Sequence, residues 1–250
     1  MTDDAPTAAM LVIGDEILSG RTQDTNTNYV ARFLAALGID LKEARVVPDV
    51  EAEIVAALNA LRARYSYVFT TGGIGPTHDD ITADAIARAF GVPIGYHPEA
   101  FAALEARFPP GEFNEARQRM ARIPASASLI RNSVSVAPGF QIENVFVMAG
   151  VPVVMRAMLE DVAPRLKRGP LVRTCTIMAK APEGRIAADL ARIQSQHKST
   201  AIGSYPYYHE DGAGVHVVVR GRDPAQVEVA SSQIEQSLRD LGIQPMREKD

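Results

Sequence analysis

The sequence predicts an α/β protein: a three-layer domain around a mainly parallel sheet, followed by a small α+β domain. In residues 10–166, short apolar runs alternate with segments whose apolar residues recur every three or four positions. That alternation is typical of βαβ units, which build parallel sheets. After Gly169-Pro170 the order changes to strand, helix, strand, strand, helix. We therefore divide the chain into domains of residues 1–168 and 171–250.

Each element of the first domain follows from an apolar pattern. Short, mainly apolar runs predict strands at 10–13, 67–71 and 145–148, and residues 41–47 are predicted as a further strand that ends at Pro48-Asp49. Helical spacing predicts helices at 30–37, 54–61, 81–90, 99–107, 115–121 and 152–166. Gly38 and Gly91 end two of these helices. Residues 93–144 are less regular, and they contain a break at Pro109-Pro110-Gly111.

The second domain reads as a βαββα unit. Its strands are predicted at 171–179, 200–208 and 214–221, and its helices at 184–197 and 224–241. The segment from His209 to Ala213 joins the two middle strands, and it contains a glycine, which suits a hairpin.

Composition and charge exclude several classes of protein. Of the 250 residues, 46% are hydrophobic and 22% are charged, which is ordinary for a globular protein with a core. The net charge of −4 argues against nucleic acid or an acidic membrane as partner. Cys175 is the one cysteine, so no disulfide or cysteine-based metal site forms within the chain. With no signal-like start and no apolar run of membrane length, we expect a cytoplasmic protein.

Carboxylates follow the first three predicted strands. Asp15 and Glu16 come after the first strand, Asp49 after the second, and Asp79 and Asp80 just after the third. The carboxyl ends of parallel strands meet at one edge of the sheet, where ligands bind. Carboxylates gathered there repel one another unless a divalent cation or a catalytic task holds them. The alternative is that these loops are simply polar and that an aspartate complements the dipole of the next helix.

The third strand runs into a glycine-rich loop. Gly72, Gly73 and Gly75 allow positive φ and close approach of backbone N–H groups to an anion. The hydroxyl of Thr77 adds a further donor. Because the loop continues into Asp79 and Asp80, the sequence predicts a phosphate cradle beside a carboxylate pair.

Several motifs in order resemble one family. They are Ile13 to Ser19 (IGDEILS), Asp24-Thr25-Asn26, Val47-Pro48-Asp49, Thr71 to Thr82 (TGGIGPTHDDIT), Ala137 to Phe140 and Gly150-Val151-Pro152. Together they resemble the molybdopterin-binding domain superfamily of molybdenum-cofactor biosynthesis. Within it, the chain is similar to the N-terminal domain of competence/damage-inducible CinA proteins and to that of eukaryotic FAD synthases. Residues 171–245 resemble the small KH-like domain that follows in CinA proteins.

The resemblance implies a three-layer fold that self-associates, and a nucleotide or pterin ligand. It implies either handling of molybdopterin or metal-dependent hydrolysis of an ADP-ribose or FAD pyrophosphate. By motif position, the residues of the family's pocket are Gly14, Asp15, Glu16, Asp49, Gly72, Gly73, Gly75, Asp80, Asn114, Gly150 and Pro152. Arg117 stands where the family frequently has a lysine.

The sequence also departs from the family's pattern. CinA-type sequences commonly have Ser-Glu after the proline that corresponds to Pro152, whereas this chain has Val153-Val154, so one acidic group is missing. The amidase domain of CinA proteins and the FAD-forming domain of the synthases have no counterpart here. We therefore expect neither nicotinamide mononucleotide deamidation nor FAD synthesis.

These observations predict a metal-dependent nucleotide pyrophosphatase acting on an ADP-ribose- or FAD-like diphosphate. Mg²⁺ or a transition ion such as Co²⁺ would be held by carboxylates, namely Asp15, Glu16, Asp49, Asp79 and Asp80. Catalysis is assigned to Asp49, Asp79 and Asp80. The alternative is a molybdopterin-binding protein without hydrolytic turnover. The basic residues Arg117, Arg119 and Arg122 form either a solvated helix face or a phosphate contact beside Asn114.

Overall fold

The computed structural model describes residues 5–209 and 212–248 of the chain. The chain forms two compact units, Met1–Gly169 and Pro170–Asp250. The first unit contains the glycine-rich loop and the carboxylates singled out above.

The main sheet of the first unit has six strands in the order β2-β1-β3-β8-β7-β6. The strands of this unit are β1 (Thr7–Ile13), β2 (Asp40–Val47), β3 (Tyr67–Thr71), β4 (Ile94–Tyr96), β5 (Arg122–Pro124), β6 (Ser128–Ile130), β7 (Gly139–Ile142) and β8 (Val145–Met148). Strands β2, β1, β3 and β8 are parallel to one another. Strand β7 runs antiparallel to both of its neighbours, β8 and β6. A separate antiparallel pair is formed by β4 and β5.

Helices cover both faces of this sheet. They are α1 (Asp15–Leu18), α2 (Asn26–Ala36), α3 (Glu51–Arg62), α4 (Thr82–Phe90), α5 (Pro98–Arg107), α6 (Glu115–Gln118) and α7 (Pro152–Val162). Strand β1 is buried on both faces, because Leu11 packs with α3 and α4 while Met10 packs with α2 and α7. Successive side chains of a strand point to opposite faces, so one apolar run serves two cores. The arrangement confirms the predicted three-layer, mainly parallel fold.

The short elements are where the sequence prediction was wrong. Residues 15–18, predicted as loop, form the one-turn helix α1. The irregular stretch 93–144 contains the strands β4 to β7, which were not predicted. Each has three or four residues, too few for an alternating pattern to stand out from a loop.

The second unit is a small antiparallel sheet packed against two helices. Its elements are β9 (Arg173–Ala179), α8 (Ala187–Gln196), β10 (Thr200–His209), β11 (Gly212–Gly221), α9 (Pro224–Asp240) and β12 (Pro245–Arg247). The sheet order is β10-β11-β9-β12. The first five elements follow the predicted order, and β12 adds an edge strand. Residues 210 and 211 of the predicted hairpin connection lie outside the described residues.

Within the described residues, no helix combines the length and apolar character that a membrane span needs.

Candidate functional site

The glycine-rich loop follows β3, and its backbone conformation leaves no room for a side chain at Gly72 and Gly73. Gly72 has φ of 104°, and a Cβ there would lie 2.0 Å from the carbonyl oxygen of Ile13. Gly73 has φ of 67°, and its Cβ would lie 2.2 Å from the hydroxyl oxygen of Thr82. The buried Thr82 clamps the loop, because its hydroxyl donates to the Gly72 carbonyl at 2.9 Å. Positive φ and close approach together require glycine at both positions.

Three successive backbone amides of this loop are free. The amide of Gly72 donates to the carbonyl of Met148 at 3.3 Å, so it is already occupied. For the amides of Gly73, Ile74 and Gly75, the described part of the chain provides no hydrogen-bond acceptor. Consecutive free N–H groups at a strand-to-helix turn form an anion-binding concavity.

A cavity of about 390 Å³ opens at this loop. Its polar rim includes Glu16, Asp80 and Ser135, and the backbone of Gly150 also borders it. Apolar side chains form much of the remaining wall, among them Met120, Ala137, Val151, Val154 and Met158. Volume and lining match those of small-molecule sites, which pair apolar walls with a few convergent polar groups.

Asp80 is held at this cavity by Thr77. The Thr77 amide donates to Asp80 Oδ2 at 2.7 Å, and the Thr77 hydroxyl oxygen lies 2.5 Å from the same atom. That hydroxyl is also 2.5 Å from Asp79 Oδ1. Thr77 does not border the cavity. It therefore positions the two carboxylates, and the phosphate contact expected of it from the sequence stays a prediction.

The pKa and the exposure of Asp79 are set by its neighbours in the loop. The hydrogen bond from Thr77 holds the pKa of Asp79 below its ordinary value, with a smaller contribution from His78. The side chain of Asp79 is 62% exposed, and that of His78 is almost fully exposed. Neither aspartate caps α4, since its N-cap residue is Ile81 and no side chain bonds the first helical turn. Complementing the dipole of α4 without capping it stays the alternative prediction for these two aspartates.

Asp49 lies among other carboxylates. Its Oδ2 accepts a hydrogen bond from the Asp15 amide at 3.0 Å. Burial raises the pKa of Asp49 above its ordinary value, against that hydrogen bond, which lowers it. Repulsion from Asp15, Glu16 and Asp79 raises the pKa of Asp49 further. Asp49 does not itself border the cavity, but Glu16 does. The sequence-predicted carboxylates are thus close enough to influence one another.

Those carboxylates do not form a ligand set for a resident metal ion. Across residues 5–209 and 212–248, no three or more His, Cys, Asp and Glu side chains are grouped so that they could hold a metal. Two of the five predicted ligands are committed to hydrogen bonds with Thr77, and Asp49 to one with Asp15. The residues present therefore do not fit a metal held by the protein alone.

Three further sequence-predicted residues surround the glycine loop. Gly14 precedes α1, and its amide donates to the carbonyl of Val47 at 3.1 Å. Gly150 packs against the loop, since a Cβ there would lie 3.3 Å from Gly72 Cα. Pro152 is the first residue of α7 and borders a second, smaller cavity.

The structure places Asn114 and Arg117 away from the site. Asn114 is the N-cap of α6, and its Oδ1 accepts from the Arg117 amide at 3.1 Å. The Arg117 guanidinium pairs with Glu112 and lies over the ring of Phe108. Neither residue borders a cavity at the glycine loop. An asparagine before a helix is a common cap, so the spacing alone did not reveal a ligand contact.

The basic side chains next to the loop are instead Arg119 and Arg122. Both pair with Asp84 of α4, with Arg122 in a bidentate arrangement at 2.6 and 3.0 Å. They border a narrow crevice together with Gly73 and Gly75. Their side chains are each 31% exposed, and the phosphate contact offered for them by the sequence stays a prediction.

Four residues that border the cavities were given no site role from the sequence: Asn26, Thr71, Met120 and Ser135. Asn26 stands in the Asp24-Thr25-Asn26 motif, whose recurrence in the family was the available signal.

A pair of glycine substitutions tests whether the loop requires close approach. Gly91, the C-cap of α4, has φ of 65°, yet nothing lies within 4 Å of its added Cβ. We expect Gly91→Ala to cost about 1–2 kcal/mol through backbone strain alone. Gly73→Ala adds the collision with Thr82, about 1–3 kcal/mol more. Urea unfolding of both variants measures the difference, and equal losses would show that the loop relaxes around a side chain.

Two family models match most of the chain. Residues 9–168 match the family described as a probable molybdopterin binding domain, and residues 171–247 match the FAD synthase middle domain. A protein from Archaeoglobus fulgidus is 32% identical over 231 residues, which cover 92% of this chain and 97% of that protein. A CinA-like protein from Citrifermentans bemidjiense is 42% identical over 165 residues, or 63% of this chain and 40% of that protein.

A solved structure has a similar fold over 64% of this chain. It is a CinA protein of unknown function from Thermoplasma acidophilum, with 32% sequence identity and a TM-score of 0.62. The match covers 64% of this chain and 98% of that chain.

Proposed function

Because the chain belongs to the family of probable molybdopterin binding domains, we propose that its first unit binds the diphosphate of a nucleotide or pterin and hydrolyses it. One observation carries the proposal. Gly73, Ile74 and Gly75, whose amides have no acceptor in the described part of the chain, border a cavity of about 390 Å³ that Asp80 also lines. Donors for an anion, room for a ring system and a carboxylate are thus present in one pocket.

Binding uses the two kinds of wall that the cavity offers. The loop amides donate to diphosphate oxygens, where the fixed N–H dipoles favour negative charge. The ring of the ligand packs on the apolar wall beside Met120, Val154 and Met158. Burial of an aromatic ring there adds affinity that does not depend on the identity of the base.

A divalent cation enters this scheme as part of the substrate. Carboxylates at the pocket would repel a bare diphosphate, and no three of them are grouped for a resident ion in the described residues. Mg²⁺ is commonly bound through one or two carboxylates plus substrate phosphates. We infer that the ligand arrives as its complex with Mg²⁺ or a transition ion such as Co²⁺, with Glu16 and Asp80 facing it.

Hydrolysis requires a base for the attacking water. In the proposed step, the water oxygen bonds to one phosphorus, the bridging P–O bond breaks, and two monophosphate products form. The water proton passes through a second water to the carboxylate of Asp49, which lies outside the lining of the cavity. The raised pKa of Asp49 makes it a better proton acceptor than an ordinary aspartate. Asp79, whose pKa is lowered, stays ionised. Carboxylates with opposite shifts commonly divide acid–base and electrostatic roles in this way.

The test is a panel of diphosphates and metals. The purified chain is incubated with ADP-ribose, FAD or NADH and with Mg²⁺, Mn²⁺, Co²⁺ or Ni²⁺, and released AMP is measured. We expect AMP from at least one diphosphate with a metal present and none in excess chelator. If no combination turns over while molybdopterin binds, the chain is a binding module.

A further inference from the structure

A second cavity, of about 70 Å³, adjoins the proposed diphosphate pocket. The two cavities share Glu16, Gly72 and Gly150 as lining residues. The smaller cavity extends to the start of α2. Asn26, the first residue of α2, and Thr71, the last residue of β3, both border it. We propose that this cavity is a subsite for the hydroxyl groups of a ribose attached to the diphosphate. The proposal rests on the proposed function, because the diphosphate places the sugar.

Two buried polar groups at this subsite have no partner in the described chain. Asn26 is 8% exposed; its Nδ2 donates to the Gly150 carbonyl at 2.8 Å, but its Oδ1 has no donor. Thr71 is 1% exposed, and its hydroxyl is unpartnered as well. Leaving a buried polar group unsatisfied costs about 1–3 kcal/mol, so native proteins pair nearly all of them. Two such groups at one cavity indicate a partner that comes from a ligand.

The residues that line the smaller cavity favour a ligand that donates hydrogen bonds. The carboxylates of Glu16 and Asp24 and the Oδ1 of Asn26 are acceptors, and no lysine or arginine borders this cavity. Asp24 uses Oδ1 to accept from the amides of Asn26 and Thr27, which fixes the start of α2. An anionic group is therefore disfavoured here, whereas hydroxyl groups suit the site. Carboxylates recognise ribose hydroxyls in dinucleotide-binding folds by the same chemistry.

Size separates a sugar from a ring system. The smaller cavity has a volume of about 70 Å³, against about 390 Å³ for the larger one. A fused two-ring base therefore belongs in the larger cavity, and a smaller hydroxyl-bearing group in the smaller one. The sugar is thus assigned beside Asn26, with the diphosphate at Gly73 to Gly75.

Two adjacent threonines provide a matched test. Thr71→Val removes the hydroxyl at the subsite without breaking a hydrogen bond, since that hydroxyl has no partner in the described chain. Thr70 is the control: it is also fully buried with an unpartnered hydroxyl, but it borders neither cavity. Its side chain points to the opposite face of β3. Calorimetry on the full chain with Mg²⁺ measures binding of ADP, 2′,3′-dideoxy-ADP and inorganic pyrophosphate.

We expect the parent protein to prefer ADP over dideoxy-ADP, and Thr71→Val to reduce that preference by about two- to tenfold, as for one lost hydrogen bond. Thr70→Val should keep the preference, and pyrophosphate should bind all three proteins within about twofold. Equal binding of ADP and dideoxy-ADP by the parent, with pyrophosphate still bound, would refute the subsite alone. An equal loss for pyrophosphate in Thr71→Val would also refute it. If neither nucleotide nor pyrophosphate binds the parent, the proposed function fails as well.

Discussion

Asp80→Asn is expected to fold like the parent and to lower kcat/KM for the best diphosphate by about a hundredfold or more. With its side-chain oxygen in the place of Asp80 Oδ2, asparagine keeps the acceptor for both the Thr77 amide and the Thr77 hydroxyl. The local turn that Asp80 closes with Thr77 is therefore retained. What is lost is the negative charge that faces the cavity beside the free amides of Gly73 and Gly75.

Thermal melting and steady-state kinetics on the same preparation check this expectation. Asp223→Asn is the matched control, because Asp223 also accepts from a nearby backbone amide, that of Ala225, in the second unit. It should alter neither activity nor stability by much, since asparagine is an equally good cap. An Asp80→Asn protein that melts like the parent and keeps most of its activity would remove Asp80 from the site.

Asp49→Asn is expected to lower activity by about 10²–10⁴-fold while leaving the melting temperature unchanged or higher. The side-chain oxygen of the new asparagine still accepts from the Asp15 amide, which preserves the contact between α1 and the end of β2. Removing the charge relieves repulsion with Asp15, Glu16 and Asp79. A residue kept only for stability would show the opposite result, a lower melting temperature with little change in rate.

The pH dependence follows from the raised pKa of Asp49. A folded-state pKa above the unfolded value favours the folded state at low pH. That contribution is present in full below the unfolded pKa and is lost as pH rises through the folded pKa. Catalysis has the opposite dependence, because a general base works only when deprotonated. We therefore expect kcat/KM to rise with pH through the pKa of Asp49, and stability to fall over the same window.

In Asp49→Asn, both of these pH dependences should disappear. Glu53→Gln is the control for simple loss of charge, since Glu53 is an exposed residue in the first turn of α3. It should keep the parent's pH profile. If Asp49→Asn keeps the acid limb of the kcat/KM profile, another carboxylate is the base.

The second unit has no assigned activity. Residues 171–247 match the FAD synthase middle domain, and the four-stranded sheet of this unit is antiparallel. Self-association of the chain and the absence of nucleic-acid binding stay predictions.

The sequence by itself determined the layers of the first unit and the loop at its centre. Three of the parallel strands, β1, β3 and β8, were predicted because each is a mainly apolar run that is buried in the sheet. The fourth, β2, is a partly exposed edge strand of mixed polarity, which the sequence predicted up to the break at Pro48. The glycine loop was predicted because Gly72 and Gly73 stand directly after such a strand, where ligands of parallel sheets bind. The five carboxylates were expected near one another for the same reason, and the repulsion that raises the pKa of Asp49 is consistent with that.

Only the tertiary structure decided what each polar group near the loop contacts. Whether a side chain caps a helix, holds a neighbour or faces a cavity depends on a few ångströms and on side-chain direction, which spacing does not encode. Asn114 therefore became a helix cap, while Thr77 holds Asp79 and Asp80. The orphaned groups of Asn26 and Thr71 lie on different elements, α2 and β3, and meet at one cavity because the sheet and its covering helix pack together.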